Sequence, residues 1–358
     1  MAFDTNKLGR IGDWMQTYVD RKRFAGCSVL VAQGGQEVYF DAKGQRDTDT
    51  GQPFTRDTIA RIYSMTKPVT SVGIMMLAER GLFHLDAPVS DFIPAFADMR
   101  CLIDGAIAAD QTEPCQTPTL HQLLTHTSGL SYPFNPGILS QARNQEQRMF
   151  KPNQGELGKM VAHLASYPLA FQPGTRWEYS VSIDVLGRVI EVVSGRSLGD
   201  FFATEIFEPL GMGETGFRVP RTAGNRFASL YTPLAGAAMA LNSAKTGADS
   251  LRLTDSYPHS PFWQAEMHSG GGGLIGTIDD YMKFTEMLRR RGRSRNGLII
   301  SSQTADFMMQ NHLTGDIASM GPQSFAEQPM EGILKTILHI IKVNQILYII
   351  ILQKECID

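Results

Sequence analysis

The feature that most constrains this chain is Ile62-Tyr63-Ser64-Met65-Thr66-Lys67-Pro68, where a serine and a lysine stand three residues apart at the start of a helical pattern. Positions i and i+3 share one face of a helix, so a hydroxyl and an amine at that spacing meet without help from a distant loop. The chain has 23 serines and 11 lysines in 358 residues, so about one Ser-x-x-Lys arises by chance and the tetrapeptide needs its context. Thr58 through Tyr63 form a short apolar approach. After Lys67, the residues Val69, Val72, Gly73, Met76 and Leu77 repeat at helical spacing up to Arg80 and the stop signal Gly81. Pro68 falls in the first turn, where its missing N–H costs nothing. Ser64 is thereby placed at a helix N-terminus, whose free N–H groups and macrodipole stabilise developing negative charge. Two readings of Ser64 follow: a nucleophile activated by Lys67, or an N-cap.

Composition excludes more than it identifies. The length suits one large domain or two ordinary ones. Apolar residues make up 42% and the formal net charge is −3, so there is no electrostatic case for a nucleic-acid or membrane partner. Met1 through Lys7 contain no apolar signal core, and a cytoplasmic address is expected. Cys27, Cys101, Cys115 and Cys356 show neither Cys-x-x-Cys spacing nor paired histidines, so reduced thiols and no metal site are expected.

Leu8, Ile11, Trp14, Met15 and Tyr18 form one stripe of an amphipathic helix. Two strand-like runs, 27–31 and 37–40, flank Gly34-Gly35 and read as a hairpin, so a helix on an antiparallel sheet is expected. Leu120 through His126 look helical and close on Thr127-Ser128-Gly129. His126 reads as a last-turn histidine suited to the helix dipole rather than as a catalytic group. Two apolar stripes, Val185 to Val193 and Leu198 to Phe207, read as core faces. Thr277 to Gly292 is a well-marked helix with acidic residues first and arginines last, and the basic run 289–295 reads as its solvated end.

Pro173-Gly174-Thr175-Arg176-Trp177-Glu178-Tyr179-Ser180-Val181 supplies a tyrosine after a Pro-Gly turn and before a helix. A tyrosine beside a Ser–Lys pair can hold or relay the serine proton. Five stretches then occur in order: Tyr63 to Pro68, Gly81 to Pro88, His121 to Leu130, Pro173 to Gly187, and Ser269-Gly270-Gly271-Gly272-Gly273-Leu274. The set resembles serine hydrolases of the class C β-lactamase and penicillin-binding-protein superfamily, whose members carry S-x-x-K. Within it the match is to family VIII carboxylesterases, over roughly residues 5 to 332. The resemblance implies an α+β, β-lactamase/transpeptidase-like fold: an antiparallel sheet flanked by helices, with a helical subdomain roughly over 80–265 and the site between them. It implies catalytic roles for Ser64, Lys67 and Tyr179, an acyl-enzyme on Ser64, small short-acyl esters as substrates, and no metal or organic cofactor.

Three departures accompany the resemblance. Val181 stands where the lactamases' Tyr-x-Asn has an amide, which favours esters over lactams because valine cannot hydrogen-bond an amide substrate. Lys245-Thr246-Gly247 matches the superfamily's third motif in letters but precedes the glycine run and lacks a strand pattern, and His268-Ser269-Gly270 is a similar decoy. Residues 333–358 are rich in Ile, Leu and Lys, contain no glycine, and do not follow the family pattern. That tail is expected to be foreign to the 1–332 hydrolase domain, to leave the sheet incomplete, and to form a strand or helix over part of it rather than a membrane anchor. The rival functions are acyl transfer to an alcohol, β-lactamase-like hydrolysis, and a catalytically defective homologue.

Overall fold

The computed structural model describes residues 5–133, 135, 137–139, 151–233, 251–313 and 346–352. The first helix, α1, spans Thr5–Asp20. It is followed by the hairpin β1 (Gly26–Gln33) and β2 (Gln36–Asp47). Gln33 pairs with Gln36, so the turn is Gly34-Gly35 alone, and both glycines have positive φ (60° and 83°). That conformation is a type I′ turn, whose twist matches the strands it joins and which side chains with a Cβ rarely adopt. β1 is buried from Gly26 to Ala32 because both its faces are covered. Cys27, Val29 and Val31 pack on Met15 of α1, whereas Leu30 faces the main core. Trp14, placed on the same stripe by its spacing, is 42% exposed and instead rests against Tyr18 at the helix edge.

Two further strands, β3 (Gln52–Pro53) and β4 (Ile346–Leu352), complete a four-stranded sheet in the order β4-β1-β2-β3, all pairs antiparallel. The tail thus contributes a strand beside β1, from Cys27↔Leu352 to Gln33↔Ile346. Residues 333–345, the rest of the stretch weighed as a membrane anchor, lie outside the described residues. Among the described residues no helix is long and apolar enough to cross a membrane.

A short strand, Ala60–Arg61, pairs with Ile275–Gly276 and brings the two stretches on either side of the site together. From it the chain enters α2 (Thr66–Glu79), which ends at Gly81 with φ 73°. α2 is buried on nearly every side, as its weak polar face requires. It packs on the helix Ser182–Ser194, whose stripe Val185, Leu186, Val189 and Ile190 is fully enclosed. At Gly73 a Cβ would stand 2.9 Å from Ile190 Cδ1, so the small residue sets how closely these helices approach. The helix Ile278–Arg289 covers the sheet, with Thr277 capping Asp280 N–H as its sequence signals foretell. At its basic end Arg289 pairs with Glu286 and Arg291 with Asp306, the solvated ion pairs expected of a surface helix end.

Candidate active site

Ser64 lies in a 3-10 turn, Tyr63–Met65, that runs straight into α2. Neither this turn nor α2 has a side-chain cap, so the N-cap reading of Ser64 does not hold. The reason is local. Ser64 is itself inside the 3-10 turn rather than extended ahead of the helix, and Tyr63 before it takes φ 41°, a left-handed conformation that costs a bulky residue on the order of 1–3 kcal/mol. The Ser64 hydroxyl instead stands 2.5 Å from Tyr179 Oη and accepts from Lys67 Nζ at 3.2 Å. The three residues singled out from the sequence therefore meet. Tyr281 donates from its buried hydroxyl to the Met65 carbonyl at 3.0 Å and fixes the turn from behind.

Lys67 is 5% exposed, and its amine makes a second bond, 2.7 Å to the Gly271 carbonyl. It also lies over the rings of Tyr179 and Tyr132, at 4.6 and 5.5 Å from their centroids. The Ser269–Leu274 stretch that supplies Gly271 is lashed to α2 by Thr70, which donates to the Gly270 carbonyl, and by Thr66, which accepts from Leu274 N–H. The run His268-Ser269-Gly270, expected to be a third-motif decoy, leads into the wall behind the lysine. Four successive glycines were the available signal: a Cβ on Gly271 would sit 2.3 Å from Asp184 Oδ2, and one on Gly270 would sit 2.8 Å from the Ile183 carbonyl. Tyr132 and Asp184, both fully enclosed beside Lys67, carried no sequence signal. Lys245-Thr246-Gly247 lies outside the described residues.

Tyr179 is held on both sides. Asn135 donates from Nδ2 to the Tyr179 carbonyl at 2.8 Å and to Glu178 Oε1 at 2.9 Å. His126 lies beyond the end of its helix with φ 57°, so the last-turn dipole role is replaced by another. Its Nδ1 meets Ser180 Oγ at 3.1 Å, its carbonyl accepts from Glu178 N–H, and its ring is 5.1 Å from that of Tyr179. Ser180, Ser182 and Ser128 continue the chain of buried hydroxyls at 2.7 Å spacings. Val181, at the lactamases' asparagine position, is fully buried. A cavity of about 600 Å³ opens beside this segment between Trp177, Glu178, Asn135 and Ile103; Ser64 and Lys67 do not line it.

Burial, reinforced by the nearby Lys67 charge, pushes the His126 imidazole down to about 3. The unfolded chain's histidine takes up a proton near 6.5 while the folded one resists, so the unfolded state binds more protons across that window. Stability is therefore expected to fall as the pH drops from about 6.5 toward 3. Urea midpoints measured across this range should decline, and the His126→Gln variant, less stable at neutral pH, should show a flatter decline.

The beta-lactamase family model matches residues 11–323 of this chain. The chain belongs to the beta-lactamase family. Esterase EstB of Burkholderia gladioli is 33% identical over 281 residues, covering 75% of this chain and 66% of that protein. Lovastatin esterase of Penicillium rubens is 30% identical over 315 residues, covering 85% and 73%. Among solved structures, "EstCE1, a hydrolase with promiscuous acyltransferase activity" superposes with a TM-score of 0.67 at 26% identity, covering 88% of this chain and 78% of that one. The α+β, β-lactamase/transpeptidase-like fold and the relationship to family VIII esterases both stand on these matches. So does the coarse activity of this beta-lactamase-fold chain, an enzymatic serine hydrolase.

Proposed function

We propose that the protein hydrolyses short-acyl carboxylic esters through an acyl-enzyme on Ser64. The observation that carries this reading is the Ser64 hydroxyl placed between Tyr179 Oη and Lys67 Nζ. Ser64 Oγ attacks the ester carbonyl carbon as its proton passes to the Lys67–Tyr179 pair. The tetrahedral oxyanion takes a hydrogen bond from the Ser64 backbone N–H at the helix start. The intermediate collapses, the alcohol leaves with the proton the pair received, and the acyl group stays on Ser64. Water then gives up a proton to the same pair and attacks the acyl carbon, and as the bond to Ser64 Oγ breaks and the acid leaves, the pair returns that proton to the serine.

The ester preference over lactams rests on Val181, whose side chain is buried and has no polar atom with which to hold an amide. Acyl transfer to an alcohol uses the same residues and differs only in what attacks the acyl-enzyme; the printed description of EstCE1 favours keeping it as the second reading. One experiment separates these outcomes. The folded protein is mixed with a chromogenic acetate or butyrate ester, quenched in acid, and its intact mass and peptide map are read. A single acyl group on Ser64 is expected, with ester turnover far above that of a chromogenic cephalosporin. Turnover with no adduct at Ser64, or none at all by folded protein, would sink the reading. A rise in ester product when an alcohol is added would shift it to acyl transfer.

A further inference from the structure

Asp184 sits in the first turn of the helix Ser182–Ser194, fully enclosed, and the reaction as written makes no use of it. Its Oδ1 accepts two bonds, from Ser269 Oγ at 2.6 Å and from Gly271 N–H at 3.0 Å. The same Gly271 accepts Lys67 Nζ through its carbonyl at 2.7 Å. One peptide unit away from the lysine, then, a buried carboxylate fixes the residue that aims the lysine at Ser64. Ser269 Oγ also accepts from Gly272 N–H at 3.1 Å, so the carboxylate orients the whole turn. Asp184 Oδ2 has no hydrogen-bond partner among the described residues and lies so close to Gly271 that any side chain there would strike it. A buried carboxylate with one oxygen unmatched is costly unless a positive charge stands near. The nearby charge is Lys67, whose electrostatic attraction to Asp184 opposes the rise that burial causes in the carboxyl.

We propose that Asp184 is a positioning residue for Lys67: through Ser269 and Gly271 it holds the amine against Ser64, and it supplies the buried countercharge for the ammonium formed when Lys67 takes the serine proton. This rests on the Ser64 acyl-enzyme reading above. The other titratable groups facing the pair are Tyr132 and Tyr179, over whose rings the amine lies, and His126, which is held neutral. Burial raises the Tyr132 hydroxyl well above its usual range, and the enclosed Asp184 carboxylate supplies the negative partner.

The test compares Asp184→Asn, Ser269→Ala and Ser64→Ala by the pH dependence of kcat/KM for a chromogenic acetate ester. Asp184→Asn keeps the Oδ1 acceptor and removes only the charge. Its kcat is expected to fall about 10- to 100-fold with KM little changed, and the acid limb of its profile to move at least about 1 pH unit lower, because the ammonium has lost its partner. Ser269→Ala keeps the charge and loosens the turn. Its kcat is expected to fall while the acid limb stays where it is. A wild-type profile and kcat in folded Asp184→Asn overturn the proposal. If that variant does not fold, as judged by thermal melting and near-UV circular dichroism, a wild-type kcat in Ser269→Ala overturns it instead. Full activity in Ser64→Ala would show that the acyl-enzyme reading has failed, a result separate from either outcome at Asp184.

Discussion

Ser64→Ala is expected to cut ester turnover by about 10⁴-fold or more, because the Ser64 hydroxyl is the nucleophile that both Lys67 Nζ and Tyr179 Oη contact. The side chain is small and half-buried, so the loss of one oxygen should leave folding intact, and the melting transition serves as the check. The stronger form of the prediction concerns the pair. Lys67→Met alone is expected to lose nearly as much, and adding it to Ser64→Ala should cost almost nothing further. Groups that act as one unit show that pattern, whereas independent contributions would multiply. Residual activity in Ser64→Ala that Lys67→Met then removes would mean that the lysine activates something else, such as water.

Tyr179→Phe is the second large effect. The ring is retained, and with it the packing against His126, Tyr132 and Trp177, so the variant removes only the hydroxyl that contacts Ser64. A loss of about 10²- to 10⁴-fold in kcat is expected, the usual range for general acid–base groups, with KM nearly unchanged. The location of the loss is informative. If Tyr179 returns the proton to the departing alcohol, esters with poor leaving groups should lose far more than nitrophenyl esters, whose phenolate leaves without help. Equal losses for both would restrict Tyr179 to accepting the serine proton.

The site was legible where its geometry is local. Ser64 and Lys67 lie three residues apart on one helix, and helical periodicity alone puts them on a common face. Tyr179 lies more than a hundred residues away, and only the ordered motifs tied it to them. The hydroxyl's direction was not legible. An N-cap reading assumes that Ser64 itself is extended, and its place inside the 3-10 turn Tyr63–Met65 breaks that assumption. His126 was misplaced for a related reason: its helix ends at Leu124, and its positive φ swings the ring inward against Ser180. Tyr132 and Asp184 were invisible, because a buried tyrosine and a helical aspartate are common and their meaning comes from long-range contact with Lys67. The sheet was clearer. Gly34-Gly35 marked the hairpin, and the two glycines form its turn.

The pairing of β4 with β1 has a consequence for the order of events in synthesis. β1 leaves the ribosome long before the strand that pairs with its other side. Until that strand emerges, β1 can be paired only with β2, and its other side offers unmatched backbone groups to any strand that passes. The vulnerable side of the central strand thus stays open throughout the interval between the two. Yield in cells should depend on chaperones that bind nascent chains more than on the stability of the finished molecule.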